Sequence, residues 1–190
     1  VGASVAVLGR NLEKAKAAAD EIMTEVGGKA IALSADVRDP EQVQAALQAS
    51  VDQLGKIDIL ISGAAGNFPA PAVAINPKGF KTVIDIDLIG TYNVFHLGFN
   101  YVNKDASLIA ITAPQAINPM PFQAHVCAAK AGINMLVKCL ALEWGPAGLR
   151  VNGISPGSID GPEGADRLAP KGPIRDAMIV KVPSHLICVL

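Results

Sequence analysis

Short apolar runs alternate with longer amphipathic stretches along the whole chain. The apolar runs are Ala3–Leu8, Lys29–Ser34, Ile57–Ile61, Ser107–Ile111 and Leu149–Ile154. Runs this short, rich in Val, Ile and Ala, predict strands. Ile57–Ile61 has Asp58 as its only polar residue and is expected to be buried on both faces. The stretches between them carry helix signals. Asn11 is placed to cap a helix over Leu12–Val26 that Gly27-Gly28 stops. Asp39-Pro-Glu-Gln42 opens a second helix that runs to Leu54 and ends at Gly55. Asn76-Pro77 opens a third, expected to reach about Val102, and Gln123–Trp144 reads as a long fourth. From Gly161 onward the pattern is loop-like, with one short helix expected over Ile174–Lys181.

This alternation predicts an α/β fold: a doubly wound parallel sheet with helices on both faces, in three αβα layers. The chain's 190 residues are enough for one domain with a core. Half of the residues, 51%, are hydrophobic and only 4% are aromatic, as suits a core of Ala, Val, Ile and Leu. A net charge of −1 gives no reason to expect nucleic acid or a membrane surface as partner. No apolar run is expected to span a bilayer. The three cysteines form no CxxC and fit neither a disulfide framework nor a zinc site, which points to a reducing compartment. His96, His125 and His185 have no metal-ligand spacing, and His125 is at most a pocket-lining residue.

Lys130 is the residue around which the candidate chemistry gathers. It lies on the first turns of the long helix after an apolar strand, facing the carboxyl ends of parallel strands, where open α/β sheets bind ligands. Asp87 lies inside an apolar helix, three residues before Gly90. A buried acid needs a partner, and Lys130 is the expected counter-ion. Asp85, two residues earlier, is expected on the solvated face. No GxGxxG occurs. Ser62-Gly-Ala-Ala-Gly66 comes nearest, but no helix follows it directly.

Lys130-Ala-Gly132, Ala141-Leu-Glu-Trp-Gly145, Arg150-Val-Asn152 and Pro156-Gly157 together resemble the second half of a short-chain dehydrogenase/reductase. That family usually carries a tyrosine four residues before the lysine, where this chain has Val126, which can neither give nor take a proton. The usual serine falls on Ala113. Ala64-Ala-Gly-Asn-Phe68, Ile86-Asp-Leu-Ile-Gly-Thr-Tyr-Asn93 and Ala113-Pro-Gln115 are similar to the tyrosine-less branch, the peroxisomal-type 2,4-dienoyl-CoA reductases and their bacterial relatives. The resemblance runs from about Gly2 to Pro183. Against the family, the chain begins just before the second strand, and its tail departs after Pro183, Ser184–Leu190 forming neither helix nor strand. A single incomplete dinucleotide-binding domain over residues 1–190 is therefore expected, lacking the first, central strand and the last one, and unstable or prone to aggregate by itself.

The resemblance implies roles residue by residue. Lys130 would hold the nicotinamide ribose, and Asp87 would act with it through a water to protonate the substrate. Arg10, in a turn without the acid that NAD enzymes use, suits a 2′-phosphate and hence NADPH. Asp36 and Val37 would meet the adenine, Ala64, Ala65 and Gly66 the cofactor ribose, and Pro156, Gly157 and Ile159 the nicotinamide amide. Arg38, Arg167 and Phe68 match positions that touch acyl-CoA, although Arg38 equally suits a pair with Asp36 or Asp39. The implied activity is NADPH-dependent reduction of a 2,4-dienoyl-CoA in fatty-acid degradation. It would take place in the cytoplasm of a bacterium or the peroxisomal matrix of a eukaryote, although Leu186–Leu190 is no peroxisomal signal. Surplus apolar surface on the helices of Gly90–Phe99 and Leu136–Trp144 suits a homo-oligomer, a dimer or tetramer. Two other readings stay open: a different short-chain oxidoreductase, and an inactive fragment that only binds a partner subunit.

Overall fold

The alternation of strand and helix is realised with few changes of boundary. The computed structural model describes residues 2–157 and the short segments 159–160 and 188–189. Strands β1 (Val5–Gly9) and β2 (Ala30–Ser34) pair in parallel, Val5 opposite Ala30 and Gly9 opposite Ser34. Strands β3 (Ile57–Ser62), β4 (Val102–Ile111) and β5 (Arg150–Ile154) form a second parallel sheet in the order β3-β4-β5. The helices are α1 (Leu12–Val26), α2 (Pro40–Leu54), α3 (Pro77–Ile84), α4 (Gly90–Gly98) and α5 (Ala124–Trp144). A π-helical turn, Asp85–Ile89, joins α3 to α4.

The helix signals act through the backbone groups they satisfy. Asn11 Oδ1 accepts from the Lys14 N–H, and Asp39 Oδ1 accepts from the Glu41 and Gln42 N–H groups. Gly27, at φ 67°, ends α1 in the left-handed region. The core sits between the second sheet and its helices: Leu108 and Val151 from the sheet meet Val43 and Leu47 of α2, Phe95 of α4, and Ile133, Val137 and Leu140 of α5.

Four expectations change. The third helix stops at Gly98 rather than near Val102, and β4 begins at Val102 rather than Ser107. A polar interruption, Asn103-Lys-Asp105, hides the early part of β4 in the sequence. Val102 already pairs with Ile57, and the ladder resumes at Ser107 after a bulge that carries Asp105 at φ 69°. Second, β3 is not buried on both faces. Leu60 lies under Gly98 of α4, whereas Ile59 and Ile61 are 60% and 58% exposed. Side chains alternate across a strand, and among the described residues nothing covers the face that Ile59 and Ile61 share. Third, Ala124–Ala147 is long and apolar enough to cross a membrane, with mean hydropathy 1.3. It is packed as a core helix, with Ile133, Val137 and Leu140 buried and Lys130 buried beside them. Fourth, Cys188–Val189 pairs in parallel with Ile159–Asp160, a short ladder consistent with the apolar end of the chain. The expected helix over 174–181 lies outside the described residues.

Gly90 marks a close approach. A Cβ there would come within 2.5 Å of Val37 Cγ2, so the start of α4 and the loop after β2 touch backbone to side chain. Overpacking of this kind costs about 1–3 kcal/mol. Gly90→Ala should lower the urea-unfolding free energy by that amount, and an unchanged denaturation midpoint would show that the loop moves aside freely.

Candidate active site

The site forms where the carboxyl ends of β3 and β4 meet the π turn and the start of α5. Buried positions on α5 recur at His125, Val126, Ala129, Lys130, Ile133, Val137 and Leu140, one helical face turned inward. That face carries Lys130, only 5% exposed, to the end of β4, where its Nζ donates to the Ile111 carbonyl at 3.0 Å. From the other side comes Asp87, fully buried, whose Oδ2 lies 3.3 Å from Lys130 Nζ.

Local structure explains why Asp87 and not Asp85 turns inward. Asp85 pairs outside with Lys81 at 2.6 Å. The widened turn that follows frees backbone groups that an α-helix would satisfy. Thr91 repairs one, its hydroxyl donating to the Asp87 carbonyl at 2.7 Å while accepting from Ser62 Oγ at 3.1 Å. The turn is thus tied to the tip of β3. The Gly66 N–H donates to Asp87 Oδ1 at 2.7 Å, which fixes the carboxylate against the loop after β3. Burial raises the Asp87 pKa, opposed by the Lys130 charge and the Gly66 N–H.

Val126 is 3% exposed and packs with Val83 of α3 and Ala129. The position where most of the resembled family has a phenol is therefore part of a hydrophobic contact. Ala113 is half-buried in extended backbone, and the neighbouring Thr112 hydroxyl is occupied, donating to Asn134 Oδ1 at 2.7 Å. No hydroxyl stands in for either missing group.

The remaining predicted residues divide by place. Phe68 lies with its ring against His125, centroids 4.3 Å apart, and against Gly79 of α3. Gly66 touches Asp87 directly, and Ala64 and Ala65 are exposed just before it on the same loop. Arg10 lies at the carboxyl end of β1, in a groove of about 470 Å³ lined also by Gly9, Asn11 and Lys14. An exposed guanidinium beside a lysine in a groove at a strand tip has the chemistry to hold a phosphate. Asp36 and Val37 follow β2, where Asn93 Nδ2 of α4 donates to the Val37 carbonyl at 2.9 Å and holds the loop. Arg38 pairs with Asp36, its Nε donating to Oδ1 at 2.9 Å and Oδ2 at 3.1 Å and its Nη2 to Oδ2. Pro156 and Gly157 follow β5. Arg167 and the side chain of Ile159 lie outside the described residues.

Thr91 was not anticipated, and His125 was expected at most to line the pocket. Thr91 gives no sequence signal, since its task exists only because the helix widens beneath it. His125 was given only a marginal place, yet it is fully buried and lies against Phe68 in the site. Burial lowers its pKa. The buried-face spacing of α5 could have placed it one position from Val126 and five from Lys130. Cys139 is exposed and Cys127 is half-buried.

A parallel sheet with a helix-borne lysine at its strand tips is the arrangement of a Rossmann-type α/β protein. Within that class the chain belongs to the short-chain dehydrogenase/reductase family. It matches the family described as "Enoyl-(Acyl carrier protein) reductase" over residues 1–186. It is 41% identical over 169 residues to the peroxisomal 2,4-dienoyl-CoA reductase of Mus musculus, covering 88% of this chain and 58% of that one. It is 41% identical over 187 residues to the Saccharomyces cerevisiae protein of the same description, covering 96% and 64%. The chain thus spans less than two thirds of the length of either relative. A short chain dehydrogenase from Bacillus anthracis superposes with a TM-score of 0.82 at 34% identity, over 99% of this chain and 74% of that one. A gluconate 5-dehydrogenase from Burkholderia cenocepacia, solved with NADP and tartrate, superposes with a TM-score of 0.82 at 26% identity, over 95% and 70%.

The Arg38–Asp36 pair gives a titration that checks the geometry. Arg38 holds the Asp36 carboxyl down at about 2 from an ordinary 3.8, chiefly through the side-chain hydrogen bond. A depressed folded pKa contributes stability above the ordinary value that is lost as pH falls toward about 2. Arg38→Ala should return the Asp36 titration, followed by carboxyl carbon NMR, toward 3.8 and remove that acid-side contribution. An unmoved titration would mean that the pair does not form in solution.

Proposed function

We propose that the protein takes part in NADPH-dependent reduction of 2,4-dienoyl-CoA thioesters. The observation that carries this reading is the buried Asp87–Lys130 pair with Val126 where a proton-donating phenol would stand. Reduction of a carbonyl needs a proton on an alkoxide oxygen, and Val126 supplies none. Reduction of a conjugated thioester needs stabilisation of an enolate and a proton on carbon, which a cation and a carboxylate acting through water can manage.

The donor set fits the cofactor. Arg10 and its groove suit a 2′-phosphate, and Lys130 stands at the strand tips where the ribose hydroxyls would lie. The bound cofactor supplies a hydride. The chain's own residues do the rest. Phe68 walls the pocket beside the pair. With the hydride on C5, the negative charge would spread over C4, C2 and the thioester oxygen, and Lys130 favours it there. Asp87 and Lys130 polarise a water, and its proton goes to C2. The double bond is then left between C3 and C4, as in the product printed in the mouse and yeast relatives' names, (3E)-enoyl-CoA. Those relatives are also named peroxisomal, which supports that location if the source is a eukaryote. Tyr92 on α4, Phe99 just after it, and Met135 and Leu142 on α5 are exposed apolar residues, which supports self-association.

The test uses the gene's product with whatever upstream coding sequence its DNA supplies. NADPH oxidation is followed with 2,4-hexadienoyl-CoA. Lys130→Ala and Asp87→Asn should each lower kcat by about 10²-fold or more, the range of a positioned acid–base group. Undiminished turnover in Lys130→Ala would end the reading. Arg10→Ala should raise KM for NADPH while leaving KM for NADH nearly unchanged, and equal effects on both would take Arg10 away from a phosphate.

A further inference from the structure

Among the described residues, the buried side-chain nitrogen and oxygen atoms without a hydrogen-bond partner are three: Asp87 Oδ2 and both ring nitrogens of His125. All belong to the site described above, and both side chains are fully buried. Such atoms are rare because burial removes their water without replacing it. Their concentration in one place is therefore a property of the site and not of loose packing. The loop after β3 holds both groups: its Gly66 N–H donates to Asp87 Oδ1 at 2.7 Å, its Phe68 ring packs against the imidazole, and the charge of each group acts on the other. The ring centroids of Phe68 and His125 lie 4.3 Å apart, and neither imidazole nitrogen has a hydrogen-bond partner among the described residues. The Lys130 ammonium donates to the Ile111 carbonyl at 3.0 Å and faces Asp87 Oδ2 at 3.3 Å, and no hydrogen bond runs from it to the ring.

One small polar molecule satisfies this arrangement. A buried water makes about three hydrogen bonds, both donating and accepting. A neutral imidazole has one N–H to give and one lone pair to receive, and burial holds His125 toward the neutral form. We propose that His125 and Asp87 Oδ2 together hold one exchangeable water, so that His125 is a third member of the group that delivers the proton. This rests on the functional reading above and deepens it. The water donates one hydrogen to Asp87 Oδ2 and accepts from the His125 N–H, leaving its second hydrogen for C2 of the substrate. As the new C–H bond forms, the water's O–H bond breaks. The hydroxide left behind takes a proton from the Lys130 ammonium, which regains it from solvent. His125 stays neutral throughout, and its N–H steadies the oxygen as it becomes negative.

His125→Leu keeps the burial and removes the polar contacts, whereas His125→Gln keeps a donor. With 2,4-hexadienoyl-CoA and NADPH, His125→Leu should lower kcat by about 10²-fold with KM for NADPH within about twofold, and His125→Gln should recover most of the loss. Wild-type kcat in His125→Leu, or equal losses in both variants, would overturn the proposal. A second measurement needs no turnover and no substitution. In the unliganded chain, the His125 ring protons should show cross-relaxation with bulk-exchanging water in nuclear Overhauser spectra, and absence of those cross-peaks would also overturn it. If the unsubstituted protein fails to oxidise NADPH with the dienoyl thioester, the functional reading falls, and the spectra still decide whether His125 holds a water.

Discussion

A carboxylate and an ammonium group taken out of water side by side form the contact on which the rest of the site depends. Each ion would be strongly disfavoured there alone, and their attraction offsets desolvation only if geometry and hydrogen bonds are good. The surroundings of Asp87 and Lys130 meet that demand. The Gly66 N–H takes one carboxylate oxygen, the Ile111 carbonyl takes the ammonium, and Thr91 with Ser62 secures the backbone that carries the acid. The pair therefore joins four pieces of chain: the loop after β3, the end of β4, the π turn and α5. Loss of either partner would leave an uncompensated charge at the point where these pieces meet, so geometry and chemistry stand together.

On the proposed function, the same compactness bears on what kind of proton transfer the site can support. Val126 fills its place with a contact to Val83, so the space of a phenol is given to packing. His125 and Lys130 lie on the same inward face of α5, on either side of Val126. On the cofactor side the organisation is looser. The loop after β2 is held by Asn93 and by the close approach of Val37 to Gly90, while Arg38 and Asp36 satisfy each other. A ligand reaching Asp36 or Arg38 meets a carboxylate and a guanidinium already engaged, and any new contact competes with that bond.

The open face of β3 sets a different constraint. Ile59 and Ile61 present apolar surface to solvent, and no strand joins β1 or β3 on its free edge among the described residues. Exposed apolar strands and unpaired edges invite association. The solved relatives superpose on nearly the whole of this chain while extending beyond it, so the arrangement of the two sheets agrees with a larger family fold.

Much of the fold was legible in the residues. Asn11, Asp39 and Asn76 announced helix starts that hold, because a cap is a local hydrogen bond between neighbours in sequence. The alternation of strand and helix gave the parallel sheet for a similar reason: each element carries its own periodicity. The pairing of Asp87 with Lys130 was also foreseeable, since a buried acid requires a cation and few were to hand. Tertiary structure alone decided the π turn that aims Asp87, the role of Thr91, the early start of β4 and the exposure of Ile59 and Ile61. It alone set the His125 ring against Phe68. Each of these depends on what packs against a residue from a distant part of the chain, and neither spacing nor composition carries that information.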